Sequence, residues 1–501
     1  MIHLKTTWPL LAIAVLFLAA LGIRVYRINE PPLDFHATRQ YRSLLIARGY
    51  YYEGLASIPE WKRQVARINL ERQGVLEPPV MERLTSYIYR IAGSEPYWIP
   101  RTLSILFWLI GGGILYLIAK KIMDGSAALF STVFYLFLPF AVVASRSFQP
   151  DPLMIMLLLA SLYAILQYTK LPSLGRLVVV IVLSAFAIYI KPISLFVIYS
   201  VFVMIAVYQQ GIKRSLTDPR LLSFLVLTFL PTATFYFYGI LVTGTLREQA
   251  RSSFLPQLLI DPFYWKGWLN NIHQVVGLAS FIGALLGVML FRRGLPRVFM
   301  MGLWVGYVLF CLVFNYHIAT HDYYHLQLVP IVALSLGPMA GVVYVRLKEL
   351  NPDWHWRVAL WTIMFLALVL ALNTARTQLS DNTFGAKVKI AEEIGERVHH
   401  STNTVYLASD YGLSLEYHGE LSGEPWPLIS DLEWERLAGI TVMDAEQRFD
   451  HLFVEDLPDY FIIVDQYEFD QQRDLIVFLT RNYPVMSNSE HYIIFDLQRK
   501  L

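Results

Sequence analysis

Long apolar runs alternate with short polar stretches along most of this chain. A bilayer core about 30 Å thick requires roughly 20 apolar residues per helical crossing, and about eleven segments approach that length. The segments are residues 8–28, 101–121, 126–144, 152–169, 176–190, 193–209, 221–243, 274–291, 298–316, 326–346 and 356–373. The pattern therefore predicts a polytopic α-helical membrane protein with about eleven transmembrane helices.

A long polar segment, residues 29–99, follows the first apolar run. Within it, TRQYRSLLIARGYYYEG and WKRQVARINLERQG place apolar residues three and four positions apart, opposite a charged face. This spacing predicts amphipathic helices that lie along the membrane interface, with aromatic residues at the depth of the head groups.

The character of the chain changes after about residue 375. KVKIAEEIGERVHH and DLIVFLTRNY have the spacing of helices, whereas TVYLAS, YFIIVD and HYIIFDL have the β-branched and aromatic content of short strands. We therefore predict a transmembrane domain over residues 1–375, with 29–99 as its first outer loop, and a small α/β domain over 376–501.

Composition agrees with a membrane protein. The chain has 501 residues, of which 55% are hydrophobic and 16% charged, and its mean hydropathy is +0.45. These values exclude an ordinary soluble protein. The single cysteine, Cys311, lies in an apolar run, so the chain has no disulfide framework. The net charge of +2 gives no indication of nucleic-acid binding.

Lysine and arginine in the short loops predict the orientation, because positive charge is retained on the cytoplasmic side. The basic residues of alternate connections are Lys120 and Lys121, Lys170 and Arg176, Lys213, Arg214 and Arg220, Arg292, Arg293 and Arg297, and Arg346 and Lys348. They predict a multi-pass protein of the cell (inner, cytoplasmic) membrane with a cytoplasmic N-terminus. Segment 29–99 and the C-terminal domain are then extracytoplasmic.

Conspicuous polar residues stand at five junctions that this topology places on the outer face. They are Asp34 with His36, Glu77, Arg146 with Asp151, Lys191, and His321 with Asp322, Tyr323 and Tyr324. Each also has an ordinary interpretation. Asp151 precedes Pro152, as a helix N-cap does. The His/Tyr run is equally typical of an interfacial aromatic belt.

The order of these motifs resembles the dolichyl-phosphate-mannose:protein mannosyltransferase-like family, glycosyltransferase family 39, whose bacterial relatives include the aminoarabinose transferase of lipid A. The shared features are an acidic motif after the first span, Pro78-Pro79 in the first loop, an acid after the third span, Lys191-Pro192, and a His/Tyr-rich start to a late span. The resemblance covers roughly residues 8–375, and the outer C-terminal domain also fits this architecture.

The resemblance implies a C-type glycosyltransferase fold and an inverting transfer of a sugar from a polyprenyl-phosphate donor on the outer side of the membrane. Asp34 corresponds to the family's general base, and Asp151 to its second acidic position. Lys191 would contact the lipid phosphate. The chain departs from the family in two places: Phe35 and His36 follow Asp34 where the protein mannosyltransferases have a second acid, and Glu77 precedes the proline pair where many relatives have His or Lys.

The leaving group determines which other residues are of interest. A departing phosphate needs nearby cations, for which Arg39, Arg42, Arg146 and Lys191 are candidates. The acceptor hydroxyl needs a base within hydrogen-bond reach, a role for Asp34. The sites for the acceptor or the donor sugar are predicted at His36, Glu77, His321, Asp322, Tyr323 and Tyr324.

Several alternatives stay open at this stage. No cofactor is predicted with certainty, and a divalent metal ion would be held by Glu77 and His321. The acceptor is a protein, a lipid or a glycan of the cell envelope. A membrane transporter or lipid-linked sugar flippase is the alternative function, although such proteins place ionisable groups at the bilayer midplane and often contain repeated halves.

Overall fold

The computed structural model describes residues 4–74, 76–247, 255–350, 354–380, 383–437, 439–454 and 456–501. By its internal contacts the chain divides into two compact units. Unit 1 comprises Met1–Ile28, Val75–Met81 and Pro100–Ser380, and unit 2 comprises Asn29–Gly74, Glu82–Ile99 and Asp381–Leu501. Residues 29–99, which we grouped with the transmembrane domain from the sequence, thus belong mostly to unit 2.

Unit 1 contains helices and no strand among its described residues. Its helices are α1 Leu4–Val25, the start of α4 Val80–Ala92, α5 Trp98–Ile122, α6 Gly125–Phe137, α7 Pro139–Ala144, α8 Asp151–Lys170, α9 Leu174–Ile190, α10 Ser194–Gln210, α11 Ile212–Ser215, α12 Pro219–Phe237, α13 Pro262–Val275, α14 Leu278–Leu290, α15 Leu295–Val313, α16 Asn315–Thr320, α17 Leu328–Leu350 and α18 Trp354–Gln378. A π-helical turn, Tyr238–Val242, and two 3-10 segments, Pro256–Ile260 and Asp322–Gln327, complete it.

The protein is a multi-span membrane protein, as predicted. Among the described residues six helices are long and apolar enough to cross a membrane, or seven if α13 and α14, bent by 91°, form one span. Four shorter apolar helices, Leu11–Val25, Gly125–Phe137, Leu174–Ile190 and Ser194–Gln210, coincide with further predicted segments. The predicted segment 126–144 is interrupted between α6 and α7 because Pro139 starts a new helix.

Close helix packing in unit 1 depends on glycine. On α15, Gly302 and Gly306 face α10, and a Cβ at these positions would lie 2.8 Å from the Val201 Cα and 2.5 Å from the Val197 Cα. Small residues four apart let two helix backbones approach closely where apolar burial gives no advantage over lipid. This pair therefore sets the distance between α10 and α15.

A buried cation lies near the end of the first apolar helix. Arg24, in the last turn of α1, has no exposed surface. Its guanidinium donates to the carbonyls of Ala20 and Leu136 at 3.0 and 2.9 Å and to Ser145 Oγ at 2.7 Å. These bonds satisfy the buried charge and attach α1 to the helices that follow.

Unit 2 contains a five-stranded sheet in the order β2-β1-β3-β5-β4. The strands are β1 Thr404–Leu407, β2 Gly423–Pro425, β3 Tyr460–Ile463, β4 Val485–Asn488 and β5 Ile493–Asp496. Strands β2, β1 and β3 run parallel, and β5 is antiparallel to both β3 and β4. The three predicted strands are confirmed at β1, β3 and β5.

The helices of unit 2 are α2 Ala37–Tyr52, α3 Glu60–Gln73, the remainder of α4, α19 Phe384–Arg397, α20 Leu413–Gly419, α21 Ile429–Leu437, α22 Ala445–Leu452, α23 Gln466–Gln471 and α24 Arg473–Asn482. The two predicted C-terminal helices are confirmed at α19 and α24. Alternate strand residues enter two separate cores: Val405 and Phe461 belong to one, Tyr406 and Ile462 to the other. Helices therefore cover both faces of the sheet.

Helix α2 differs from the interfacial helix that the sequence predicts. Tyr41, Leu44 and Leu45 are almost completely buried, because α2 packs against α3 and α20 within unit 2. The Tyr41 hydroxyl forms a hydrogen bond with His418 Nε2 at 2.8 Å. Burial and the nearby Arg48 charge lower the pKa of His418 to about 3.

A second buried titratable group lies in α20. Glu416 accepts hydrogen bonds from the Tyr406 hydroxyl and, at 3.0 Å, from Gln73 Nε2. Burial raises the pKa of Glu416 to about 8, although the Tyr406 bond and the Arg72 charge act in the opposite direction. A buried carboxyl of this kind is neutral over much of the pH range in which exposed carboxyls are ionised.

Candidate active site

The centre of the candidate site in unit 1 is the break between α9 and α10. Lys191 has an extended backbone (φ −155°, ψ 113°) at the C-terminal end of α9, as expected for a residue that precedes proline. Pro192 cannot continue the helical hydrogen bonds, and α10 starts at Ser194. The sequence thus directs one lysine out of an otherwise apolar pair of helices.

Lys191 is paired with Asp151. The Lys191 ammonium donates to both Asp151 carboxylate oxygens at 2.9 Å, and the Glu77 carboxylate lies 3.8 Å from the same nitrogen. Both members of the pair are almost fully buried, with exposures of 2% and 1%. Asp151 is the first residue of α8, where a negative charge is favourable. Its described contacts are with Lys191 rather than with the N–H groups that an N-cap would accept.

Two tyrosines of the predicted His/Tyr motif surround the ammonium. The Tyr323 and Tyr324 ring centres lie 5.1 and 4.9 Å from Lys191 Nζ, within the range of a cation–π contact. His317 stacks on Tyr324, with 4.8 Å between ring centres and an interplanar angle of 4°. The 3-10 segment that carries these tyrosines therefore belongs to the same site as the lysine.

A cavity of about 320 Å³ lies beside this charged group, and Glu77 and Lys191 line it together with Tyr324. The rest of its wall is mainly apolar and aromatic: Pro192, Ile193, Phe229, Thr232, Tyr236, Ile240, Leu246 and Phe314. Its volume falls within the range of small-molecule sites. The arrangement suits an amphiphile that has an anionic head and an apolar tail.

One polar group in the cavity wall is unsatisfied. Thr232 is 2% exposed, and its hydroxyl has no hydrogen-bond partner in the described part of the protein. A buried hydroxyl without a partner costs free energy unless a ligand or water satisfies it. Thr232 is therefore a candidate contact for a polar atom of the ligand.

The cavity wall also includes a local irregularity of helix α12. A π-helical turn, Tyr238–Val242, extends this helix, and such turns occur frequently at functional sites. At Gly239 an added Cβ would lie 2.3 Å from Leu246 Cδ1. Glycine at this position thus allows Leu246 to form part of the cavity wall.

The Asp34 motif belongs to unit 2. The Asp34 side chain is half-buried, and its Oδ1 accepts from Gln40 Nε2 at 3.2 Å. His36 follows with a left-handed backbone (φ 44°) immediately before α2. Gln40 also donates to the Phe35 carbonyl at 2.6 Å. These bonds hold the turn that presents the Asp34 carboxylate.

The predicted arginines have different surroundings. Arg42 donates to the carbonyls of Gln73 and Gly74 at 2.8 and 3.1 Å, and half-buried Arg39 lies in the first turn of α2. Arg146 is almost fully buried and donates to the carbonyls of Tyr26 and Arg27 at 2.5 and 3.1 Å. Arg146 therefore contacts the backbone that follows α1, and its role at the donor phosphate stays a prediction.

The metal prediction lacks a matching ligand set. No group of three or more His, Cys, Asp or Glu side chains that could hold a metal ion occurs among the described residues. His321 Nδ1 forms a hydrogen bond with Thr320 Oγ1 at 2.6 Å, and neither His321 nor Asp322 belongs to the cavity wall. The described residues around Glu77 and His321 therefore do not fit a metal ion.

The structure thus brings together Glu77, Asp151, Lys191, Tyr323 and Tyr324 from four separate stretches of sequence. Sequence reasoning missed Thr232, Gly239 and the apolar wall, because these residues are ordinary members of an apolar run. The change from α-helix to a π-helical turn after Phe237 has no signal in the sequence apart from Pro231, which lies earlier in α12.

The sequence of residues 76–238 matches the family described as dolichyl-phosphate-mannose-protein mannosyltransferase. This part of the chain contains Glu77, Asp151 and Lys191, so the resemblance predicted from the motifs is confirmed there. Curated protein sequences gave no match.

Solved structures show the fold. ArnT from Cupriavidus metallidurans in the apo state has a TM-score of 0.58 at 14% identity, over 98% of this chain and 98% of that one. The same protein bound to undecaprenyl phosphate gives 0.57 at 14%, over 96% and 97%. The oligosaccharyltransferase AglB from Archaeoglobus fulgidus, in complex with an inhibitory peptide and a dolichol-phosphate, gives 0.56 at 13%, over 97% of this chain and 74% of that one. The predicted C-type glycosyltransferase fold is confirmed.

Proposed function

We propose that this protein transfers a sugar from a polyprenyl-phosphate donor to a hydroxyl acceptor on the outer side of the membrane, with inversion at the anomeric carbon. The observation that carries the proposal is the buried Lys191 ammonium beside an apolar cavity of about 320 Å³. A cation next to an apolar wall matches the two halves of a lipid phosphate. The match of residues 76–238 to the mannosyltransferase family supports the same reaction.

In this reaction the acceptor oxygen attacks the anomeric carbon, and the bond from that carbon to the phosphate oxygen breaks. The hydroxyl proton passes to a base, and the polyprenyl phosphate departs with the bonding electrons. Lys191 would stabilise the charge that develops on this leaving group, since a fixed cation in a water-poor site acts strongly on developing charge. Asp151 and the nearby Glu77 hold the ammonium in position.

Asp34 is the proposed base, on the strength of its match to the first acidic motif of the family. One carboxylate suffices, because a phosphate leaving group needs no general acid, whereas an inverting glycoside hydrolase requires two carboxyl groups. Lys191, Asp151 and Glu77 together carry a formal charge of −1, so donor binding requires further positive charge. Arg39 and Arg42 are the proposed sources.

The topology that accompanies this function is also a proposal. We infer about eleven spans in the inner membrane, with the N-terminus in the cytoplasm and residues 376–501 as an extracytoplasmic domain. The distribution of basic residues among alternate short loops supports this orientation.

The test uses purified protein in nanodiscs with a panel of radiolabelled polyprenyl-phosphate sugars and membrane extract as the source of acceptor. Release of free polyprenyl phosphate is followed for the wild type, Asp34→Asn and Lys191→Met, with EDTA and with Mn²⁺ in parallel. Lys170→Met is the matched control, since Lys170 is exposed at the opposite end of α8.

We expect turnover of one donor, lost in both site variants and retained in the control. A lipid-linked sugar flippase is the alternative function, because a cation beside an apolar cavity also suits a lipid phosphate that is transported. Movement of a fluorescent donor across the bilayer without release of polyprenyl phosphate would favour that alternative. Failure of every donor to bind would refute both.

A further inference from the structure

Unit 2 has a separate groove that the transfer reaction proposed above does not use. It measures about 700 Å³ and lies among the N-terminal half of α3, the turn after α19 and the start of β3. The residues on which the argument depends are Trp61, Gln64, His399, His400, Ser401 and Asp459. A groove of this volume accommodates a ligand of several rings.

An exposed tryptophan forms one wall of the groove. Trp61 retains 41% of its surface exposed, and its indole stacks on the His400 imidazole, with 4.5 Å between ring centres and an interplanar angle of 26°. The His400 ring is itself held, because its Nδ1 lies 2.8 Å from the Gly419 carbonyl. Trp61 is thus a large aromatic surface fixed at a groove and open to solvent.

The turn after α19 has an unusual conformation. His399 and His400 both have left-handed backbones, with φ of 53° and 55°. Glycine or asparagine normally occupies such positions after a helix, because a Cβ makes this conformation unfavourable. Contacts of the His400 ring with Trp61 and with the Gly419 carbonyl stabilise the left-handed backbone of His400. His399 is exposed in the groove, and strained residues of this kind concentrate at ligand sites.

Hydrogen-bonding groups surround the tryptophan. The Asp459 carboxylate accepts from Ser401 Oγ at 2.6 Å, and Gln64 and His399 are exposed in the same groove. A carboxylate has about four acceptor sites, so Asp459 can accept further hydroxyl groups.

The described residues that line the groove include no lysine or arginine. The Lys62 ammonium lies 5.0 Å from the centre of the Trp61 ring, but it is paired with the Glu420 carboxylate at 2.7 Å. The groove therefore favours a neutral ligand over a phosphate or an acidic sugar.

We propose that this groove binds a neutral saccharide that forms part of the acceptor. The C–H face of a pyranose ring would pack on the indole of Trp61, while its hydroxyls bond to Asp459, Gln64 and His399. The proposal rests on the proposed function in one respect: it identifies the acceptor as a glycan or a glycolipid. Binding itself is independent of transfer.

The test measures binding of maltohexaose, cellohexaose, mannohexaose and chitohexaose to the full chain in nanodiscs, by saturation-transfer NMR and tryptophan fluorescence. We expect at least one of them to bind with a dissociation constant of about 1 mM or lower. Trp61→Ala should weaken this binding about tenfold and Gln64→Ala a few-fold, because the first variant removes an aromatic contact and the second removes one hydrogen bond. Tyr467→Ala is the matched control, because Tyr467 is an exposed aromatic of unit 2 (72%) outside the groove.

Melting temperatures of all variants exclude loss of folding as the cause of lost binding. The proposal is overturned if no hexasaccharide binds the wild type, or if Trp61→Ala and Gln64→Ala bind as well as Tyr467→Ala. Binding of an unglycosylated peptide in place of every saccharide would also overturn it. Donor turnover is measured on the same samples. Turnover without saccharide binding would refute the saccharide-binding groove but not the transferase function. Saccharide binding without turnover would refute the transferase function but not the groove.

Discussion

Two ion pairs, one in each unit, have similar distances and different surroundings. Lys191 and Asp151 are 2.9 Å apart in unit 1, and Arg48 and Glu95 are 2.8 Å apart in unit 2. The cavity beside Lys191 measures about 320 Å³, whereas the one lined by Arg48 measures about 10 Å³, at most enough for one water molecule.

The hydrogen bonds of Arg48 also differ from those of Lys191. Arg48 Nε donates to both Glu95 oxygens, Arg48 Nη1 donates to the Tyr417 carbonyl, and the guanidinium lies 3.5 Å from the centre of the Tyr417 ring. Arg48 thus contributes to packing inside unit 2. Lys191 is a compact cation next to space that a ligand can fill. The empty space around a charged side chain, rather than the ion pair itself, therefore distinguishes a binding group from a structural one.

The largest expected effect is on the stability of unit 2. Arg48→Met should lower the free energy of unfolding by about 3 kcal/mol, because the Glu95 carboxylate and the Tyr417 carbonyl lose the hydrogen bonds that the guanidinium donates. The double variant Arg48→Met/Glu95→Leu should recover most of this loss, since an apolar pair of similar volume removes both desolvation costs. Chemical denaturation measures both values. A double variant no more stable than the single one would contradict a purely structural pair.

Replacement of Lys191 should affect activity more than stability. Lys191→Met should reduce donor turnover by about 100- to 1,000-fold, the range observed when one preorganised electrostatic group is removed. In Lys191→Met/Asp151→Leu, stability should return without activity, because the cation that binds the donor is still missing. Steady-state kinetics and melting temperature are measured together. Recovered activity in the double variant would assign Lys191 a structural role.

The pH dependence of stability is the next effect. The pKa of Glu416 in the folded protein, about 8, exceeds its ordinary value of 4.5. Its contribution to the free energy of unfolding is therefore full below pH 4.5 and is lost as the pH rises to 8. The folded pKa of His418, about 3, lies below its ordinary 6.5, so its contribution is full above pH 6.5 and is lost as the pH falls towards 3.

Between pH 4.5 and 6.5 the two groups change the free energy of unfolding in opposite directions as the pH rises. Of the two, Glu416 alone changes it from pH 6.5 to 8. Stability should therefore decline over pH 6.5–8 by roughly 1–2 kcal/mol, since one pH unit corresponds to about 1.4 kcal/mol. Glu416→Gln should flatten this decline. Denaturation midpoints at several pH values test it, with Glu420→Gln, half-buried at the end of the same helix, as the control.

A smaller effect is expected from the cavity wall. Gly239→Ala would force Leu246 from its position, because the new Cβ would lie 2.3 Å from Leu246 Cδ1. We expect KM for a long-chain donor to rise about tenfold with little change in kcat, since apolar contact is lost uniformly in ground and transition states. Gly113→Ala, where an added Cβ meets no atom within 4 Å, is the control. Equal KM values for both variants would contradict a lipid-binding cavity.

The smallest effect is at Thr232. Thr232→Val keeps the shape and removes a hydroxyl without a partner among the described residues, so the ligand-free protein should be equally stable or slightly more stable. Donor affinity should fall about fivefold, the effect of one neutral hydrogen bond. Calorimetric titration with donor measures this difference. Unchanged affinity would leave the hydroxyl outside the donor contacts.

The parts of the site that the sequence predicts have local signals. Proline after Lys191 breaks the helix pair, proline after Asp151 begins α8, and the loop charges place both residues on one face. The fold class follows from the length of the apolar runs. These signals are local because helix interruption and membrane sidedness depend on short stretches of chain.

The parts that the sequence does not predict depend on distant contacts. The pairing of Arg48 with Glu95 spans 47 positions, and its contact with Tyr417 spans 369. The stacking of Trp61 on His400 and the Leu246 contact that requires Gly239 likewise arise only in the folded chain. The burial of α2 within unit 2 has the same origin, because its apolar face fits lipid and protein equally well.

The single cysteine has a practical consequence for the proposed topology. Cys311 has no exposed surface in α15, so a membrane-impermeant thiol reagent should leave the native protein unlabelled. One cysteine introduced into each loop in turn would then be the only reactive group of its variant. Labelling of intact cells compared with opened cells would assign every loop to its side of the membrane, without prior removal of a native thiol.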